Sequence, residues 1–588
     1  MTRALSHARR LASLAPALIV TVTALFVLPN DAGGFRLAKW GAFGIVLALS
    51  AAMLVRERRR RLPQGWLPLG AFVASAVVLP AFSSSVAPTH WPTALGLLSG
   101  LALYFVTAIA LAQEGDDSAR RWNLVVLTVT GALCSVLVLL QAAGLRLFTS
   151  DIYTGLEFRA PGTFGNPNWA AAFLAPLVPL ALGLAGTGKR RWVYYAAAIL
   201  LAIASLATLS KGGVSSVVAG LFTFALLGRR VPAGRRIALV AAAAACAAVT
   251  LTLAWQYDFT QESWLRGRLF LWRAALSLAN EQPLSGLGLG GYPSAYGRAA
   301  AALIDGAAGA FVPLSSVDFA HNDLLQFAAE GGLVTAAAFL VVVAFALVRA
   351  HRRGDPLSLG VGAALAAIFV NGLADSTLRV PSTFALFFFL LGWLLPTAPR
   401  EHASRPRRGL NALLGVIALL GALQGVRLIA GNTFWTLGQD ALRAGNPAIA
   451  DLERARFWMP EHGRSASQYA RALARAGRID DALMASATAA SLRFDFDDEF
   501  FRRDLQSRSL DRDAAIALWQ EFSARFPMLV TPYLRLGALY LQSHDRAAAI
   551  SAYETVLANP QPTARAEAAR AQARGVLRSL AAKRPVNH

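Results

Sequence analysis

The chain has 588 residues, of which 55% are hydrophobic and only 15% are charged. Soluble globular proteins carry roughly 25% charged residues, so this composition excludes an ordinary soluble protein and indicates a membrane protein with several spans. The net charge is +22, but the basic residues stand in short clusters between apolar runs. That pattern is typical of membrane topology, and we expect no nucleic-acid partner.

Two cysteines, Cys134 and Cys246, each lie inside an apolar run. Thiols placed in this way provide neither a disulfide framework nor a metal site built from cysteines. We expect both to be buried or lipid-facing packing residues.

The apolar N-terminal run is predicted to be an uncleaved first helix, because no small-residue cleavage site follows it and another span begins soon after. A crossing helix needs ~20 mostly apolar residues, and about thirteen such runs occur in the chain. Their centres lie near Val20, Ile45, Ala74, Leu101, Leu133, Pro179, Ile199, Leu221, Ala245, Phe339, Ala366, Phe389 and Ile417.

Clusters of Lys and Arg predict which ends of the spans face the cytoplasm. They fall on every second connection, at residues 56–61, 120–121, 189–191, 229–230 with 235–236, 349–353 and 405–408. The segments left on the other side are residues 29–38, 83–90, 146–169, 210–213, 256–327, 375–381 and everything after 431. We therefore expect a cytoplasmic N-terminus, a large outer loop over residues 256–327 and an outer C-terminal region.

The C-terminal region contains an internal repeat. Ala448, Ala482, Ala515 and Ala549, each followed by Ile or Leu, recur at a spacing close to the ~34 residues of a tetratricopeptide repeat. The sequence thus predicts an all-α protein: a polytopic membrane domain over residues 1–431 and a tetratricopeptide-repeat-like domain over residues 432–588. Two roles for the repeats are open, a docking surface for a protein partner or glycan and a packing cap over the membrane domain.

Two of the outer segments carry isolated basic residues. Arg159 stands alone on a side where the positive-inside rule disfavours it, which points to a specific anionic contact. Lys211 lies in a tight turn between two spans, where an anionic contact and a snorkelling side chain are both open. Asn166 and Asn168 precede an apolar run, and we predict that they form a turn and cap a helix.

The large loop begins with a basic and aromatic cluster, Arg266, Arg268, Trp272 and Arg273. Their spacing predicts a helix with Arg268 and Trp272, four residues apart, on one face. Guanidinium groups bind phosphate in fork geometry, so the cluster suits a lipid diphosphate at a membrane surface. Anchoring of an interfacial helix to membrane lipids is the structural alternative.

Residues 286–291 read Gly-Leu-Gly-Leu-Gly-Gly. The run superficially matches a dinucleotide-binding loop, but no strand precedes it and it is predicted to face outward, so we reject that interpretation. We predict a flexible turn.

His321 closes the large loop and directly precedes Asn322 and a hydrophobic run. It is either a residue beside a helix cap or a proton-transfer group, since imidazole titrates near neutral pH. Glu330 follows on the same predicted helix. Asp375 and Arg379 flank an outer turn, where they either pair with each other or complete a site.

These motifs together resemble a known family. Gly-Asn-Pro-Asn at residues 165–168, the segment 268–272 ahead of Pro-Leu-Ser-Gly-Leu-Gly at 283–288, His-Asn-Asp-Leu-Leu-Gln at 321–326 and Glu-Gly-Gly at 330–332 look like the bacterial O-antigen ligase and polymerase superfamily. Its members are multi-span inverting glycosyltransferases of the bacterial inner membrane. They transfer a glycan from undecaprenyl diphosphate to an acceptor hydroxyl at the periplasmic face, with no nucleotide sugar, cofactor or required metal.

The resemblance implies that Arg159 and Arg268 hold the donor diphosphate. It implies that His321 either assists the acceptor hydroxyl or stabilises charge as the leaving group departs. The arginine usual in this family after the serine of the short outer turn is here Lys211, which keeps the charge but not the bidentate fork. The acceptor, whether lipid A-core, a growing polysaccharide or a protein hydroxyl, is left open, as is an envelope protein partner for the repeats. An envelope assembly scaffold and a polysaccharide transporter are the non-enzymatic alternatives.

Overall fold

The computed structural model describes residues 2–28, 35–55, 66–83, 86–114, 117–145, 159–187, 190–228, 232–256, 262–305, 317–394, 408–559 and 564–582. These residues contain helices, turns and loops and no β-strand, which confirms the predicted all-α fold. Several predicted features lie outside the described residues. They are the basic residues at 56–61, Lys189, 229–230 and 405–407, and parts of the outer segments at 29–34, 84–85, 146–158, 257–261 and 306–316.

The helices that precede and include the large loop are α1 (Thr2–Leu25), α2 (Arg36–Val55), α3 (Trp66–Val78), α4 (His90–Glu114), α5 (Asp117–Ala142), α6 (Pro167–Leu174), α7 (Leu177–Ala185), α8 (Arg191–Ala207), α9 (Lys211–Leu227), α10 (Ala233–Gln256), α11 (Glu262–Glu281) and α12 (Tyr292–Asp305). Those that follow it up to the repeats are α13 (Asp323–Arg353), α14 (Pro356–Gly372), α15 (Pro381–Trp393) and α16 (Arg408–Arg443).

The remaining helices are α17 (Ile449–Trp458), α18 (Gly463–Arg475), α19 (Ile479–Leu492), α20 (Phe496–Ser507), α21 (Arg512–Arg525), α22 (Val530–Gln542), α23 (Arg546–Ala558) and α24 (Ala564–Ala582). Short 3-10 turns at Leu79–Phe82 and Thr377–Arg379 follow α3 and α14.

All thirteen predicted span centres lie within helices. Within the described part of the chain, five helical stretches are both long and apolar enough to cross a membrane. They are His90–Ala112, Ser118–Ala142, Pro167–Ala185, Asp323–Arg353 and Ala412–Arg443. Six further apolar helices are shorter, at 10–17 residues. The chain is therefore a helical membrane protein, and the number of crossings and their orientation stay predictions.

The chain divides into two compact units. The first unit comprises Met1–Thr260, Ala279–Tyr292 and Phe319–Glu461. The second comprises Gln261–Leu278, Pro293–Asp318 and His462–His588. Most of the large loop is thus grouped with the C-terminal helices, a grouping that the sequence did not suggest.

Small residues bring helices of the first unit close together, which is how membrane helices pack without a hydrophobic driving force. A Cβ atom added at Gly44 of α2 would lie 2.2 Å from the Gly421 carbonyl of α16, and one added at Gly183 of α7 would lie 2.7 Å from the Pro356 carbonyl of α14. Each position therefore requires glycine. Cys134 is buried in the core of this unit, as predicted, whereas the Cys246 side chain lies outside the described residues.

The repeat periodicity has a structural counterpart. Helices α17, α19, α21 and α23 begin at residues 449, 479, 512 and 546, and each is followed by a second helix. Ala448, Ala482, Ala515 and Ala549 are at most 2% exposed, so the repeated alanine is the close-packed position of each pair. The assignment of these pairs to the tetratricopeptide family stays a prediction.

Candidate functional site

His321 lies at the start of α13, held by the residues on either side of it. The Asn322 side chain caps the helix by accepting a hydrogen bond from Leu325 N at 3.0 Å, and it donates to the Leu373 carbonyl at 2.9 Å. The predicted cap is thus confirmed. His321 itself has φ = 52°, a left-handed conformation uncommon for a residue with a side chain. Strain of this kind persists where the surrounding structure fixes the backbone, and it is frequent at functional sites.

Asp375 orients the His321 ring. Asp375 Oδ1 lies 2.7 Å from His321 Nδ1 and also accepts a hydrogen bond from Ser376 N at 2.8 Å. Because a carboxylate can only accept, Nδ1 carries a proton, and in the neutral ring Nε2 is the nitrogen able to accept one. The Asp375 side chain is 13% exposed and that of His321 34% exposed, so the ring has access to solvent or substrate while its orienting partner does not.

Arg379 pairs with Glu330, and Asp375 pairs with His321, so of the two alternatives for Asp375 and Arg379 the structure does not show the mutual pair. Arg379 Nη2 lies 2.5 Å from Glu330 Oε2, and the Glu330 side chain is fully buried. Glu330 Oε1 accepts from Gln326 Nε2 at 3.0 Å, and Gln326 Oε1 accepts from Ala320 N at 3.1 Å. This chain of contacts ends on the backbone next to His321, and therefore helps to fix its unusual conformation.

The helix carrying Glu330 is broken two residues further on. Gly332 has φ = 82° and ψ = 169°, so α13 is not the continuous helix that the sequence suggests. A break inside an apolar helix frees backbone N–H and carbonyl groups that need other partners. The glycine-rich segment provides them: Leu287 N donates to the Ala329 carbonyl at 3.0 Å, and Gly288 N donates to the Glu330 carbonyl at 2.9 Å.

The predicted flexibility of residues 286–291 is therefore wrong. Leu287 and Leu289 are at most 5% exposed, and Gly286, Gly288 and Gly290 all have positive φ. The segment is a buried and hydrogen-bonded turn. Glycine is required at Gly286, where a Cβ atom would lie 2.4 Å from the Glu330 backbone.

His90 also holds this turn, a role that the sequence did not reveal. Its Nδ1 accepts from Leu289 N at 3.0 Å, and its Nε2 donates to the Val77 carbonyl at 3.1 Å. Both ring nitrogens are thus engaged by backbone groups, and the residue is fully buried. His90 is therefore a structural histidine. Its position at the start of an apolar run does not show whether a histidine is structural or catalytic.

Arg159 lies within the electrostatic influence of Asp375. Its Nε donates to the Thr208 carbonyl at 3.1 Å, and its Nη2 donates to Asn168 Oδ1 at 2.8 Å. Burial lowers the pKa of the Arg159 guanidinium, and the negative charge of Asp375 opposes that shift. An arginine remains protonated under such conditions, so Arg159 supplies a fixed positive charge near the His321–Asp375 pair.

The two asparagines have different roles. Asn166 caps α6, since its side chain accepts from Asn168 N at 2.8 Å, as predicted. Asn168 does more than the prediction allowed, because its side-chain oxygen fixes the direction of the Arg159 guanidinium. The sequence signal for this role of Asn168 was a polar residue in the first turn of an apolar helix.

Lys211 is the first residue of α9, whose cap is Ser210 through a 3.2 Å hydrogen bond from Gly213 N. A Cβ atom added at Gly212 would lie 3.4 Å from the Asn371 side chain, so the start of α9 packs against the end of α14. Asn371 in turn accepts from Thr377 Oγ1 at 2.8 Å, in the turn that follows Asp375. Lys211 therefore starts a helix that packs against the element leading to Asp375.

Lys39 is a buried cation that the sequence analysis missed. It is 1% exposed, and its Nζ donates to the carbonyls of Thr23, Ala24 and Phe26 at the end of α1. Thr163 donates to the same Ala24 carbonyl at 2.8 Å. Lys39 thus fixes the helix end against which the segment following Arg159 packs. A lysine within an apolar run was the signal.

Arg266, Arg268, Trp272 and Arg273 lie on α11, which confirms the predicted helix. Arg266 and Arg273 are exposed, while Arg268 and Trp272 are half-buried. All four belong to the second unit, whereas Arg159, Lys211, His321 and Asp375 belong to the first. A shared role for the two groups stays a prediction.

No group of three or more His, Cys, Asp or Glu side chains in the described ranges is arranged to hold a metal ion.

Comparison with known proteins identifies a family to which part of this chain is similar. Residues 196–340 match the family described as O-Antigen ligase. The match includes Lys211, Arg268, His321 and Glu330, and it ends before Asp375. No curated protein matches the chain. The family match supports a relationship to the O-antigen ligase superfamily and a ligase- or polymerase-type membrane glycosyltransferase.

Proposed function

We propose that this protein transfers a glycan from undecaprenyl diphosphate to an acceptor hydroxyl at the periplasmic face of the bacterial inner membrane. The observation that carries the proposal is the His321–Asp375 pair at 2.7 Å, within the electrostatic influence of Arg159. A base held in one tautomer beside a fixed cation suits a reaction in which a hydroxyl loses a proton while a diphosphate leaves. The O-antigen ligase match over residues 196–340 supports the same class of reaction.

In the proposed step, the acceptor hydroxyl oxygen attacks the anomeric carbon of the donor sugar. The new glycosidic bond forms as the bond to the diphosphate oxygen breaks, so the configuration inverts in a single displacement. His321 Nε2 takes the hydroxyl proton. Asp375 holds the imidazole in the tautomer that makes this possible and stabilises the imidazolium that results.

Arg159 stabilises the negative charge of the departing diphosphate. Two hydrogen bonds to Thr208 and Asn168 fix its guanidinium, so the cation does not have to reorganise as charge develops. We assign Lys211 and Arg268 to the same ligand, Lys211 because α9 packs on the element that leads to Asp375 and Arg268 because of its sequence motif. Arg266 and Arg273 add positive charge on α11, and Trp272 follows Arg268 by four residues on the same helix.

The acceptor is a hydroxyl of lipid A-core, a growing polysaccharide or a protein, and the reaction needs no cofactor. Membrane lipids surround the spans, and we place the C-terminal helices in the periplasm. The repeats can also bind an envelope protein, but the reaction does not require such a partner.

The test is a transfer assay with purified protein in lipid nanodiscs, supplied with undecaprenyl-diphosphate-linked glycan and each acceptor class separately. We expect release of undecaprenyl diphosphate together with glycosylated acceptor. Extension of the glycan itself would identify a polymerase, and modification of lipid A-core or protein would identify a ligase or an oligosaccharyltransferase. Absence of undecaprenyl diphosphate release with every acceptor would overturn the proposed function.

A further inference from the structure

The repeat helices from α18 onward and most of the large loop form one compact unit, the second unit. Partner recruitment does not explain this grouping, because a docking array would need no contact with the loop of its own chain. The connection between α19 and α20, which contains Arg493 and Phe494, carries the contacts to the loop.

Phe494 packs directly against α12. Phe494 N donates to the Pro293 carbonyl at 2.9 Å, at the start of that helix. One turn further on, a Cβ atom added at Gly297 would lie 2.2 Å from the Phe494 ring. Only glycine fits at this position, so the Phe494 ring packs directly on the α12 backbone. Phe496 and Phe526 pack around the same ring, with centroids 5.0 and 5.8 Å away.

A second contact secures the other end of the loop. Asp318 accepts a hydrogen bond from Arg464 Nη2 at 2.7 Å, and Arg493 Nη1 lies 3.6 Å from the other carboxylate oxygen. Arg464 is in the first turn of α18 and Arg493 caps α19. The Asp318 side chain is only 18% exposed, so this ion pair is shielded more than a typical surface pair.

α12 in turn packs on the helix that carries the arginine cluster. The rings of Phe270 on α11 and Tyr296 on α12 lie 6.5 Å apart at 77°, and both residues are at most 6% exposed. Ala274, Ala275 and Leu278 continue the same buried face of α11, whereas Arg266 and Arg273 are exposed. Contacts therefore run from the repeats through α12 to α11, all within the second unit.

We propose that the repeats are an intramolecular support for the large loop and that they position Arg268 through α12. The support itself is independent of the reaction, while the consequence for Arg268 rests on the proposed function. Phe494, Gly297 and Asp318 are then positioning residues, because they act through α12 and α11 and do not touch substrate.

The test compares Gly297→Val with Gly537→Val in the full-length protein. Gly537 is the matched control, since the three atoms nearest to a Cβ atom there all belong to Tyr553 within the repeats, at 2.7–3.0 Å. Hydrogen exchange of backbone amides is measured over residues 262–278 and 293–305 and over the repeat helices. We expect Gly297→Val to raise exchange in both loop segments by roughly tenfold to hundredfold, the usual cost of overpacking.

Gly537→Val is expected to raise exchange in α22 and α23 and to leave the loop segments unchanged. The double variant Gly297→Val with Phe494→Ala makes room for the added side chain, and it should recover part of the protection that Gly297→Val loses. Unchanged exchange over residues 262–278 in Gly297→Val would overturn the support.

The consequence for Arg268 is read from transfer kinetics of the same variants. We expect Gly297→Val to raise the donor KM about tenfold, because Arg268 is no longer held in place. A donor KM equal to that of wild type, with exchange raised, would overturn the positioning of Arg268. If wild type transfers no glycan while exchange responds as expected, the proposed function fails and the support stands.

Discussion

The start of α13 and the helix α11 carry the two halves of the predicted chemistry, and they are built in different ways. His321 is oriented by a hydrogen bond to Asp375, and its neighbours are held by Leu373 and Gln326. α11 is held by a packed face, and its arginines lie at or near the surface. The difference shows two ways of placing a functional group: hydrogen bonds fix the tautomer and direction of the imidazole, whereas a packed helix face places the arginines of α11.

The largest effect on the transfer rate is expected at His321, the residue that the hydrogen bonds at the start of α13 orient. His321→Ala removes the proposed base, and transfer should fall by about 10²- to 10⁴-fold. The steady-state rate of undecaprenyl diphosphate release measures it. His351→Gln is the matched control, because that ring contacts the Leu227 carbonyl at the far end of α13 and should leave transfer within a few-fold of wild type. Equal loss in both variants would mean that the effect is structural.

Arg159 tests whether a cation of the first unit needs directed hydrogen bonds. Arg159→Ala should lower the transfer rate by about 10²- to 10³-fold. Arg159→Lys should restore little, because one ammonium cannot replace a planar guanidinium that holds Thr208 and Asn168 in different directions. Arg191→Lys, at an exposed position on α8, is the control. Full activity of Arg159→Lys would show that charge alone is enough.

Asp375→Asn tests the orientation of the His321 ring. An amide keeps the shape but no longer enforces the Nδ1–H tautomer, so kcat should fall by roughly tenfold to hundredfold while the donor KM changes little. Asp355→Asn is the control, since asparagine also caps a helix and that side chain only caps α14. An effect confined to KM would contradict an orienting role.

Glu330 tests the ion pair with Arg379, which is part of the contacts that hold the backbone next to His321. The expected effect on the transfer rate is the smallest of the four. Glu330→Gln leaves Arg379, whose side chain is 13% exposed, without its ion-pair partner, and loss of one member of such a pair costs up to about 3–5 kcal/mol of folding stability. The thermal unfolding midpoint in detergent should fall clearly, with transfer reduced only several-fold at low temperature. The double variant with Arg379→Met should regain part of the midpoint, and a midpoint lower than that of Glu330→Gln would contradict the pairing.

The helices and their caps were largely predictable, because apolar runs and the residues before them are local signals. Asn166 and Asn322 show this, since each precedes its helix in the sequence and caps it in the structure. His321 and Arg159 could also be singled out as candidates, because a histidine or an arginine in a sparse connecting segment stands out against the apolar background, and their roles stay predictions.

What the sequence could not predict are the pairings between distant segments. For Asp375 the sequence left open a pair with Arg379, four residues away, or a place in a site, and it did not indicate the contact with His321 across 54 residues. The glycine-rich turn looked flexible because its partner, the break in α13 at Gly332, is visible only in three dimensions. The contact of Phe494 with Gly297 is of the same kind, since one missing Cβ carries no signal about which ring fills the space.

The central claim is that His321 and Asp375 act as one unit in glycan transfer. It is tested most directly by a double-mutant cycle, with the rate of undecaprenyl diphosphate release measured for wild type, His321→Ala, Asp375→Asn and the double variant. We predict that the double variant is no slower than His321→Ala, because the aspartate acts only through the imidazole. Independent losses that multiply in the double variant, or a fully active His321→Ala, would contradict the claim.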